Sequence, residues 1–440
     1  MSFVKQKTGA DSAGRKIPLK PEKLWGAYPQ KQNGLFMQRI PVCAGRITPE
    51  QLESVARLAE QFTHNTPLHL TTRQDIELHN VPADAVNTIQ EALYQLGLMT
   101  FGAGGDNIRN ITVCPCCRFN PQAYDIQPLA EQIKEFLHDS PLLNNMPRKF
   151  KITLASCQQP QSKPFVNDLS FIATSQTTVR VVGAGSLGPY PQTGIVLFDS
   201  LPVEDALPLT AGALKFFVEH GDRQNRRKAR FRHIRQRLGD ALFLEKLNDY
   251  FEKERKAGDW PALKLEKGLA GWNHHLRLQV VNGDLAVKNA LLAAQTAAEQ
   301  NAQLRINPAH GIDLYSRKPF KLPSELKPLT ALPCIVACPG STTCTNGLTN
   351  CPQLAKKLTE LLKGNEKFKD KTIALSGCPN NCAHSAVADI GLSGMLKTID
   401  GKRQEVYQVL LNGGNGMTDK LSVPDKIIPA EQLPSFIQSL

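Results

Sequence analysis

The order of apolar and polar positions predicts two helices and a strand near the start of the chain. Residues 51–63 and 84–96 place apolar side chains three or four positions apart, the spacing of an amphipathic helix. Between them, Leu68–Leu78 alternates apolar and polar residues, as a half-buried strand does. Strands and helices in this alternating order predict a ferredoxin-like α+β half.

Further along the chain, the same kinds of pattern predict two α/β lobes. Residues 222–256 read as one long charged helical segment. The proline-rich segments 186–208 and 319–333 are predicted to be linkers. The elements of the lobes are a helix near 128–138 with strands near 150–155 and 179–183, and then a helix near 352–363 with a strand near 371–376.

The chain contains an internal repeat. Leu68–Leu78 corresponds to Leu304–Leu314, at an offset of 236, and Gly45-Arg-Ile corresponds to Gly283-Asp-Leu, at an offset of 238. The predicted fold class is therefore α+β with an internal duplication, in which each copy has a ferredoxin-like half and an α/β lobe. The four predicted parts are residues 1–112, 113–265, 266–330 and 331–440.

Composition narrows the class of protein. The chain has 440 residues, is 41% hydrophobic and carries a net charge of +12. Its first residues contain no apolar core of a secretory signal, and no apolar run reaches the roughly 18 residues that a membrane helix needs. We therefore expect a cytoplasmic protein whose clustered thiols are metal ligands or catalytic groups rather than disulfides.

The eleven cysteines are unevenly distributed. Six of them fall between residues 334 and 382, which is too dense for chance packing. Two spacings stand out, Cys338-Pro-Gly-Ser-Thr-Thr-Cys344 and Cys378-Pro-Asn-Asn-Cys382. Two close pairs of thiolates can hold either a zinc ion or an iron–sulfur cluster. The five residues inside the first pair fit zinc poorly, because structural zinc sites favour two to four.

With these cysteine pairs, three short motifs carry a family resemblance. They are Thr71-Thr-Arg-Gln74, Asp106-Asn-Ile-Arg-Asn110 and Arg148-Lys-Phe-Lys151. The duplicated chain resembles the sirohaem and [4Fe–4S] sulfite and nitrite reductases from about residue 35 to about residue 415. The resemblance implies the internally duplicated fold of that family, with sirohaem and a [4Fe–4S] cluster as cofactors.

The resemblance also implies which residues bind the cofactors. Cys338, Cys344, Cys378 and Cys382 would ligate the cluster, with Cys382 bridging to sirohaem. The expected contacts of the many carboxylates of sirohaem are Arg73, Gln74, Asn110 and the basic stretch that begins at Arg226, together with Asn380 and Asn381 as hydrogen-bond donors.

The first copy is expected to have lost its cluster. Asn120 stands where Cys344 would be, and Gln161 stands where Cys382 would be. Cys114 and Cys157 match Cys338 and Cys378 and are expected to be remnants of the duplication. Ordinary packing is the expectation for Cys43, Cys116, Cys117 and Cys334, whereas the role of Cys351 stays open.

The same resemblance assigns the substrate residues. Arg109, Lys149 and Lys151 are expected to bind an oxyanion and to supply protons, because an alternating pair of lysines on a strand points to one face. Met37 and His69 occupy positions where many assimilatory sulfite reductases have arginines. His69 is a candidate proton donor at neutral pH, and a structural histidine is the alternative.

The expected activity is the six-electron reduction of a small oxyanion, sulfite to sulfide first and nitrite to ammonia second. The chain shows no ferredoxin insert and no nucleotide-binding motif, so a separate donor such as ferredoxin, flavodoxin or a reductase subunit is expected. The alternatives are a related enzyme of corrin biosynthesis, a reductase-like protein with a changed substrate, and a non-catalytic electron carrier. Nucleic-acid binding is disfavoured, since few aromatic residues lie among the basic ones.

Overall fold

The computed structural model of the protein describes residues 15–140, 142, 145–157 and 161–440. Its first part is a sheet covered by two helices. The strands in chain order are β1 (Ala27–Pro29), β2 (Leu35–Pro41), β3 (Arg46–Ile47), β4 (Leu68–Leu70) and β5 (Asp75–Pro82). The helices are α1 (Pro49–Phe62) and α2 (Val86–Gln95). Both lie where the apolar spacing predicts them.

Helix α1 shows why these residues form a helix. Thr48 and Gln51 form a reciprocal capping box, in which each side chain accepts a hydrogen bond from the other's backbone N–H. Pro49 occupies the first turn, where its missing N–H costs nothing. Leu52 and Val55 are fully buried on the face that packs against the sheets.

Next comes the first lobe. Its strands are β6 (Thr112–Val113), β7 (Ile152–Ala155), β8 (Leu169–Ala173), β9 (Thr178–Gly183) and β10 (Ile195–Pro202). Its helices are α3 (Gln127–Asp139), α4 (Ala206–His220), α5 (Phe231–Leu238) and α6 (Asp240–Ala257). Strands β6, β7 and β8 are parallel, and β9 and β10 continue the sheet antiparallel.

The second copy repeats both parts. Its ferredoxin-like half has strands β11 (His274–Gln279), β12 (Asp284–Leu285), β13 (Gln303–Asn307) and β14 (Gly311–Ser316) with helix α7 (Val287–Glu299). The second lobe has strands β15 (Ile335–Ala337), β16 (Ile373–Ser376), β17 (Ile390–Ile399), β18 (Lys402–Leu411) and β19 (Val423–Pro429) with helices α8 (Cys351–Leu362) and α9 (Leu433–Ser439). Its sheet has the same sequence of parallel and antiparallel pairs as the first lobe.

The two ferredoxin-like halves exchange their shortest strands. Strand β3 of the first half pairs with β13 of the second, where Arg46 lies opposite Arg305. Strand β12 of the second half pairs with β4 of the first, where Asp284 lies opposite His69. These are the segments that the sequence repeat relates at offsets of 238 and 236. One hydrophobic core accordingly contains residues of both halves, among them Leu52, Leu68, Leu285 and Leu304.

The duplication and the fold class are confirmed, whereas three local predictions are wrong. Leu68–Leu78 is not one strand, because a tight turn at Thr71–Gln74 makes it the hairpin of β4 and β5. The segment 222–256 is broken at Gly239, whose φ of +77° ends α5 before α6 begins. The segment 186–208 is not a linker throughout, since it contains β10.

Within the described residues, no helix combines the length and the apolar character needed to cross a membrane. The division at residues 112, 265 and 330 stays a proposal, because β3 and β12 each complete the sheet of the other half.

The strand exchange predicts the effect of one glycine substitution. Gly45 has a φ of +64°, and an added Cβ would lie 2.5 Å from the backbone oxygen of Ile306 in the other half. Gly97 has a similar φ of +72°, with nothing within 4 Å of an added Cβ. Both Gly→Ala changes strain the backbone by about 1–2 kcal/mol, and Gly45→Ala adds a clash of about 1–3 kcal/mol.

We therefore expect Gly45→Ala to lower the midpoint of thermal unfolding more than Gly97→Ala, which serves as the control. Calorimetry of both variants under identical conditions measures the difference. Equal midpoints would mean that the close approach of the two halves does not limit stability.

Candidate functional site

The four predicted cluster cysteines lie together at one edge of the second lobe's sheet. Cys338 directly follows β15, and Cys378 follows β16 by two residues. Since β15 and β16 are parallel neighbours, their carboxyl ends place these two cysteines side by side. Burial raises the pKa of the Cys378 thiol, and the nearby Cys382, Cys338 and Cys344 raise it further. The structure thus gathers all four predicted ligands.

The backbone around these thiols is built for close approach. The N–H of Gly377 donates to Cys338 Sγ at 3.1 Å, and the N–H of Asn380 donates to the Cys378 sulfur. Gly340 has a φ of +55°, and a Cβ there would lie 2.2 Å from the Thr349 oxygen. Amide donors to sulfur stabilise thiolate ligands and tune cluster potentials. The loop therefore fits a thiolate-bound cluster.

Cys351 lies directly beneath this loop. It is buried at the first residue of α8, and its sulfur is 3.7 Å from the Tyr407 hydroxyl and 3.9 Å from the Thr349 hydroxyl. A hydrogen bond between Cys351 and Cys338 holds the pKa of Cys351 down and that of Cys338 up. Its surroundings are those of a packed core thiol that supports the loop.

Lys149 and Lys151 flank a buried aromatic residue just before β7. Phe150 between them is fully buried in the first lobe's core, so both lysines point to the opposite side. Neither ammonium group makes a hydrogen bond or ion pair with any described residue. Burial lowers the pKa of Lys149 to about 8, with help from Arg230, while the Cys382 thiolate acts in the opposite direction. The lysines of the first lobe therefore face the cysteine loop of the second.

Arg230 and Asp168 form an ion pair beside the lysines. The Arg230 guanidinium donates to Asp168 Oδ2 at 2.6 Å, and the Lys151 backbone N–H donates to the same oxygen at 2.8 Å. Arg230 Nε and Asp168 Oδ1 are buried without a hydrogen-bond partner. The motifs did not single out Asp168. The available signal in the sequence was its position directly before the buried strand β8. This strand pairs with β7, the strand that follows the lysines.

Arg73 lies on the turn between β4 and β5 and joins this cationic group. It donates to the carbonyl oxygens of Asn110 and Ile152 at 2.6 and 3.1 Å and to Asn167 Oδ1 at 3.0 Å. Burial lowers its pKa to about 10, and its Nε has no partner. Burial likewise holds the pKa of Lys151 well below its usual range, with Arg73 and Lys149 adding to the effect.

Arg109 approaches from the other side of the group. Its guanidinium donates to the oxygens of Ala103 and Gly105 at 2.8 and 2.7 Å. The charges of Arg109 and Arg39 outweigh burial and lower the pKa of the Tyr28 phenol. Arg109 also contributes to the low pKa of Lys149, which places it near the lysines.

The side-chain amides of two predicted cofactor contacts, Gln74 and Asn110, make hydrogen bonds within the protein. The Gln74 amide donates to the oxygens of Val113 and Ile306 and accepts the Val113 N–H, so its hydrogen-bonding groups tie three parts of the fold together. The Asn110 amide donates to the oxygens of Val42 and Arg73, which holds the turn that carries Arg73. Both residues position the site through the backbone.

Other predicted residues lie apart from the cationic group or at its border. Arg226 is exposed and pairs with Asp106, so Arg230 rather than Arg226 is the member of the basic stretch that faces the lysines. His69 is buried, with Nδ1 2.8 Å from Asp284 Oδ1 on the exchanged strand. The positions of Met37 and Asn380 are peripheral as well. Met37 lies on β2 opposite Tyr28, and the Asn380 side chain is exposed.

Asn381 connects the two lobes. Its amide donates to the Gly188 oxygen at 2.8 Å, and its Oδ1 accepts the Ser385 hydroxyl at 2.7 Å. Three residues further on, His384 is buried with a φ of +65° and an unpaired Nδ1. Burial, then Lys163 and Lys151, hold its pKa well below the usual range. His384 and Lys163 were not predicted, because the residues that lie near them in space are distant from them along the chain.

The region between the lobes has an excess of half-buried cationic groups. Its described cationic groups are Arg73, Arg109, Lys149, Lys151, Lys163 and Arg230. The carboxylates close to them are Asp75, Asp168 and, beside Lys163, Asp389. Removing unpaired charges from water is costly, so such groups either lower their pKa, as both lysines do, or gain a bound anion as partner. The many carboxylates of sirohaem and an oxyanion substrate fit this donor set.

Comparisons with known families agree with this geometry. The sequence profile described as "Nitrite and sulphite reductase 4Fe-4S domain" matches residues 104–255 and 332–440. The profile described as "Nitrite/Sulfite reductase ferredoxin-like half domain" matches residues 28–96.

Curated relatives align over most of the chain. An assimilatory ferredoxin-dependent nitrite reductase of Haloferax mediterranei is 27% identical over 95% of this chain and 81% of the relative. A ferredoxin–nitrite reductase of Synechococcus elongatus is 25% identical over 92% and 86%. The sulfite reductase [NADPH] hemoprotein beta-component of Staphylococcus epidermidis is 27% identical over 82% and 73%.

Among solved structures, the Mycobacterium tuberculosis NirA protein superposes with a TM-score of 0.79 at 20% identity, covering 94% of this chain and 85% of that one. The duplicated architecture is therefore shared with a known structure. Because the 4Fe–4S profile alone spans more than half of the residues, the chain belongs to the nitrite and sulfite reductase family, as an oxidoreductase that uses sirohaem and a [4Fe–4S] cluster to reduce nitrite or sulfite.

Proposed function

We propose that this chain reduces sulfite to sulfide, with nitrite as its second substrate. The observation that carries the proposal is the pair of half-buried lysines, Lys149 and Lys151, whose ammonium groups have no partner among the described residues. Sulfite has three oxygens and can carry two negative charges, whereas nitrite has two oxygens and one charge. A site with several cations and few carboxylates stabilises the more highly charged anion better.

The cysteines at the end of β15 and β16 are the proposed ligands of the cluster. They are Cys338, Cys344, Cys378 and Cys382. Burial raises the pKa of the Cys382 thiol, while Lys149 and Lys151 act in the opposite direction, which places Cys382 near both lysines. This position supports Cys382 as the ligand shared with sirohaem. When bound, sirohaem and the cluster supply the electrons and the iron that receives the substrate.

The chain's own residues bind the anion and deliver protons. Lys149 and Lys151 hold the oxyanion, and Arg109 and Arg73 add positive charge at the border. Each oxygen that leaves as water needs two protons. The pKa of Lys149, about 8, suits a group that gives up a proton near neutral pH. Asp168 fixes the position of Lys151 through its backbone N–H and that of Arg230 through its guanidinium.

The nitrite alternative is supported by the relatives, several of which are named ferredoxin-dependent nitrite reductases. Nitrite also fits an anion site with two lysines. Sulfite and nitrite are expected to differ in how strongly kcat/KM depends on Lys151.

Lys151→Met tests this dependence. We expect kcat/KM for sulfite to fall roughly 100-fold and kcat/KM for nitrite to fall roughly 10-fold, because the dianion loses more when a buried charge partner is removed. Steady-state assays with a reduced dye measure both values, and the sirohaem absorption band reports cofactor content. Lys357→Met, at an exposed position on α8, is the control. An equal loss for both anions would contradict sulfite as the preferred substrate.

The cluster assignment is tested by removing ligands singly. Cys344→Ala and Cys382→Ala are expected to lose most of the iron and acid-labile sulfide, since a cubane cluster needs four ligands. Cys334→Ala is the control from the same lobe, where the native sulfur lies 3.8 Å from the Thr372 hydroxyl. Full iron and sulfide content in Cys344→Ala would remove Cys344 from the ligand set.

We also propose that the electron donor is a ferredoxin, as in the names of the nitrite reductase relatives. A net charge of +12 favours an acidic donor through electrostatic steering. The cytoplasmic location expected from the sequence stays part of the proposal.

The salt dependence of the rate distinguishes electrostatic steering of the donor from the chemical steps at the site. Between about 0.05 and 0.5 M salt, we expect kcat/KM for reduced ferredoxin to fall several-fold, because the Debye length shrinks from about 14 to about 4 Å. The rate with a cationic reduced dye at saturating sulfite should change much less. A ferredoxin rate that is insensitive to salt would argue against an electrostatically steered complex.

A further inference from the structure

The first lobe has its own cluster of thiols at the place that matches the iron–sulfur loop. Cys114 directly follows β6, as Cys338 follows β15. Cys157 follows β7 by two residues, as Cys378 follows β16. The sequence treats Cys114 and Cys157 as remnants. The structure adds Cys116 and Cys117 to them, from the turn after β6.

The four sulfurs are close enough to share one ion. Cys114 Sγ is 3.0 Å from Cys157 Sγ and 3.4 Å from Cys116 Sγ, and all four sulfurs lie within 4.8 Å of one another. A disulfide bond is about 2.05 Å long. The edges of a tetrahedron with zinc–sulfur bonds of about 2.3 Å are about 3.8 Å long. The 3.4 Å separation is close to the tetrahedral edge, and the 3.0 Å separation lies between the two lengths and is too long for a covalent bond.

This arrangement is distinct from that of the second lobe. In the part of the chain that the structure describes, Cys114, Cys116, Cys117 and Cys157 are the one group of three or more His, Cys, Asp or Glu side chains whose ligand atoms come this close. Cys338, Cys344, Cys378 and Cys382 are more widely spread, as ligands of a larger cluster must be. A compact set of four sulfurs suits a single ion.

The positions that a second iron–sulfur cluster would need are occupied by amides with other partners. Asn120 Oδ1 accepts the Gln122 N–H at 2.9 Å. Gln161 Oε1 accepts hydrogen bonds from Arg277 and Asn307 at 3.2 and 2.8 Å. These amides hold the surrounding chain in place, and Cys116 and Cys117 supply the two remaining thiols from a different direction.

The surroundings are those of a closed structural site. Cys114 and Cys117 are buried within the first lobe's core, and Cys116 and Cys157 pack against that core. Phe119, two residues after Cys117, stacks on Tyr315 with ring centroids 4.1 Å apart. Cys114 and Cys117 enclose two residues, which is within the usual range for paired zinc ligands.

We propose that Cys114, Cys116, Cys117 and Cys157 bind one Zn²⁺ ion in a closed four-thiolate site. Zinc is the metal that tetrahedral cysteine sites take for structural purposes, and it is not redox-active. The ion joins the carboxyl ends of β6 and β7, which is the role that the iron–sulfur loop has for β15 and β16. It therefore fixes the strand that follows Lys149 and Lys151.

The test is metal analysis of the purified holoenzyme. We expect one zinc per chain in addition to the iron, and zinc X-ray absorption that shows four sulfur neighbours at about 2.3 Å. Cys116→Ser should lose most of the zinc, while its sirohaem absorption band is retained. Cys43→Ser is the matched control, because Cys43 packs against the same core with its sulfur 3.8 Å from the Ala130 oxygen; it should keep the zinc.

Three results would overturn the proposal. They are zinc in Cys116→Ser at the wild-type amount, a Cys114–Cys157 disulfide in the native protein, and extra iron in place of zinc. If Cys116→Ser fails to fold, X-ray absorption of the wild-type protein still decides, since oxygen or nitrogen neighbours around zinc would contradict a four-thiolate site. None of these readouts depends on whether sulfite or nitrite is the substrate.

Discussion

The reciprocal exchange of two-residue strands is the constraint on which the rest of the structure depends. Each ferredoxin-like half lacks an edge strand of its own, and the other half supplies it. An unpaired strand edge exposes backbone groups, so pairing satisfies both sheets together. The exchange also sets the distance between the halves, because Gly45 and Gly283 admit backbone oxygens at 2.5 Å from the place of a Cβ. The lobes extend from this common base.

With the base fixed, the lobes hold like charges close together. Burial lowers the pKa values of Arg73, Lys149 and Lys151, and repulsion among these cations and Arg230 lowers them further. Hydrogen bonds from Arg73 and Arg230 to backbone oxygens and to Asp168 keep them in place. A scaffold that tolerates this repulsion is already shaped for an anion, so little reorganisation is needed when one binds. The stability of the lobes is what allows an unfavourable charge arrangement to persist.

Much of this was predictable from sequence, for reasons that individual residues illustrate. The helices α1 and α2 follow from apolar spacing, and the proposed cluster ligands follow from the family resemblance that two cysteine spacings help to carry. Strands of two residues carry no pattern of their own, so only the repeat offsets hinted that Arg46 and Asp284 occupy equivalent places. Gln74 adjoins Arg73 in a motif that points to a cofactor, yet its left-handed backbone turns its amide into the protein interior.

The first lobe's cysteines show a second limit of sequence reasoning. Cys116 and Cys117 match no cysteine in the second copy, and Cys157 lies forty positions after Cys117 along the chain. The parallel pairing of β6 and β7 brings them together, and no local spacing contains that information. Likewise, only the path of the chain after Arg226 determines that Arg230, and not Arg226, turns inward.

The exchanged strands also impose an order on synthesis. The first half emerges from the ribosome with β4 as an open edge, and its partner β12 follows more than two hundred residues later. Until Leu285 has emerged, a nascent chain carries β4 as an unpaired edge strand. The cationic groups of the first lobe also lack the second lobe, which is synthesised later still. Loading of cofactors is therefore a late event, and fragments that end before β12 are predisposed to associate through that edge.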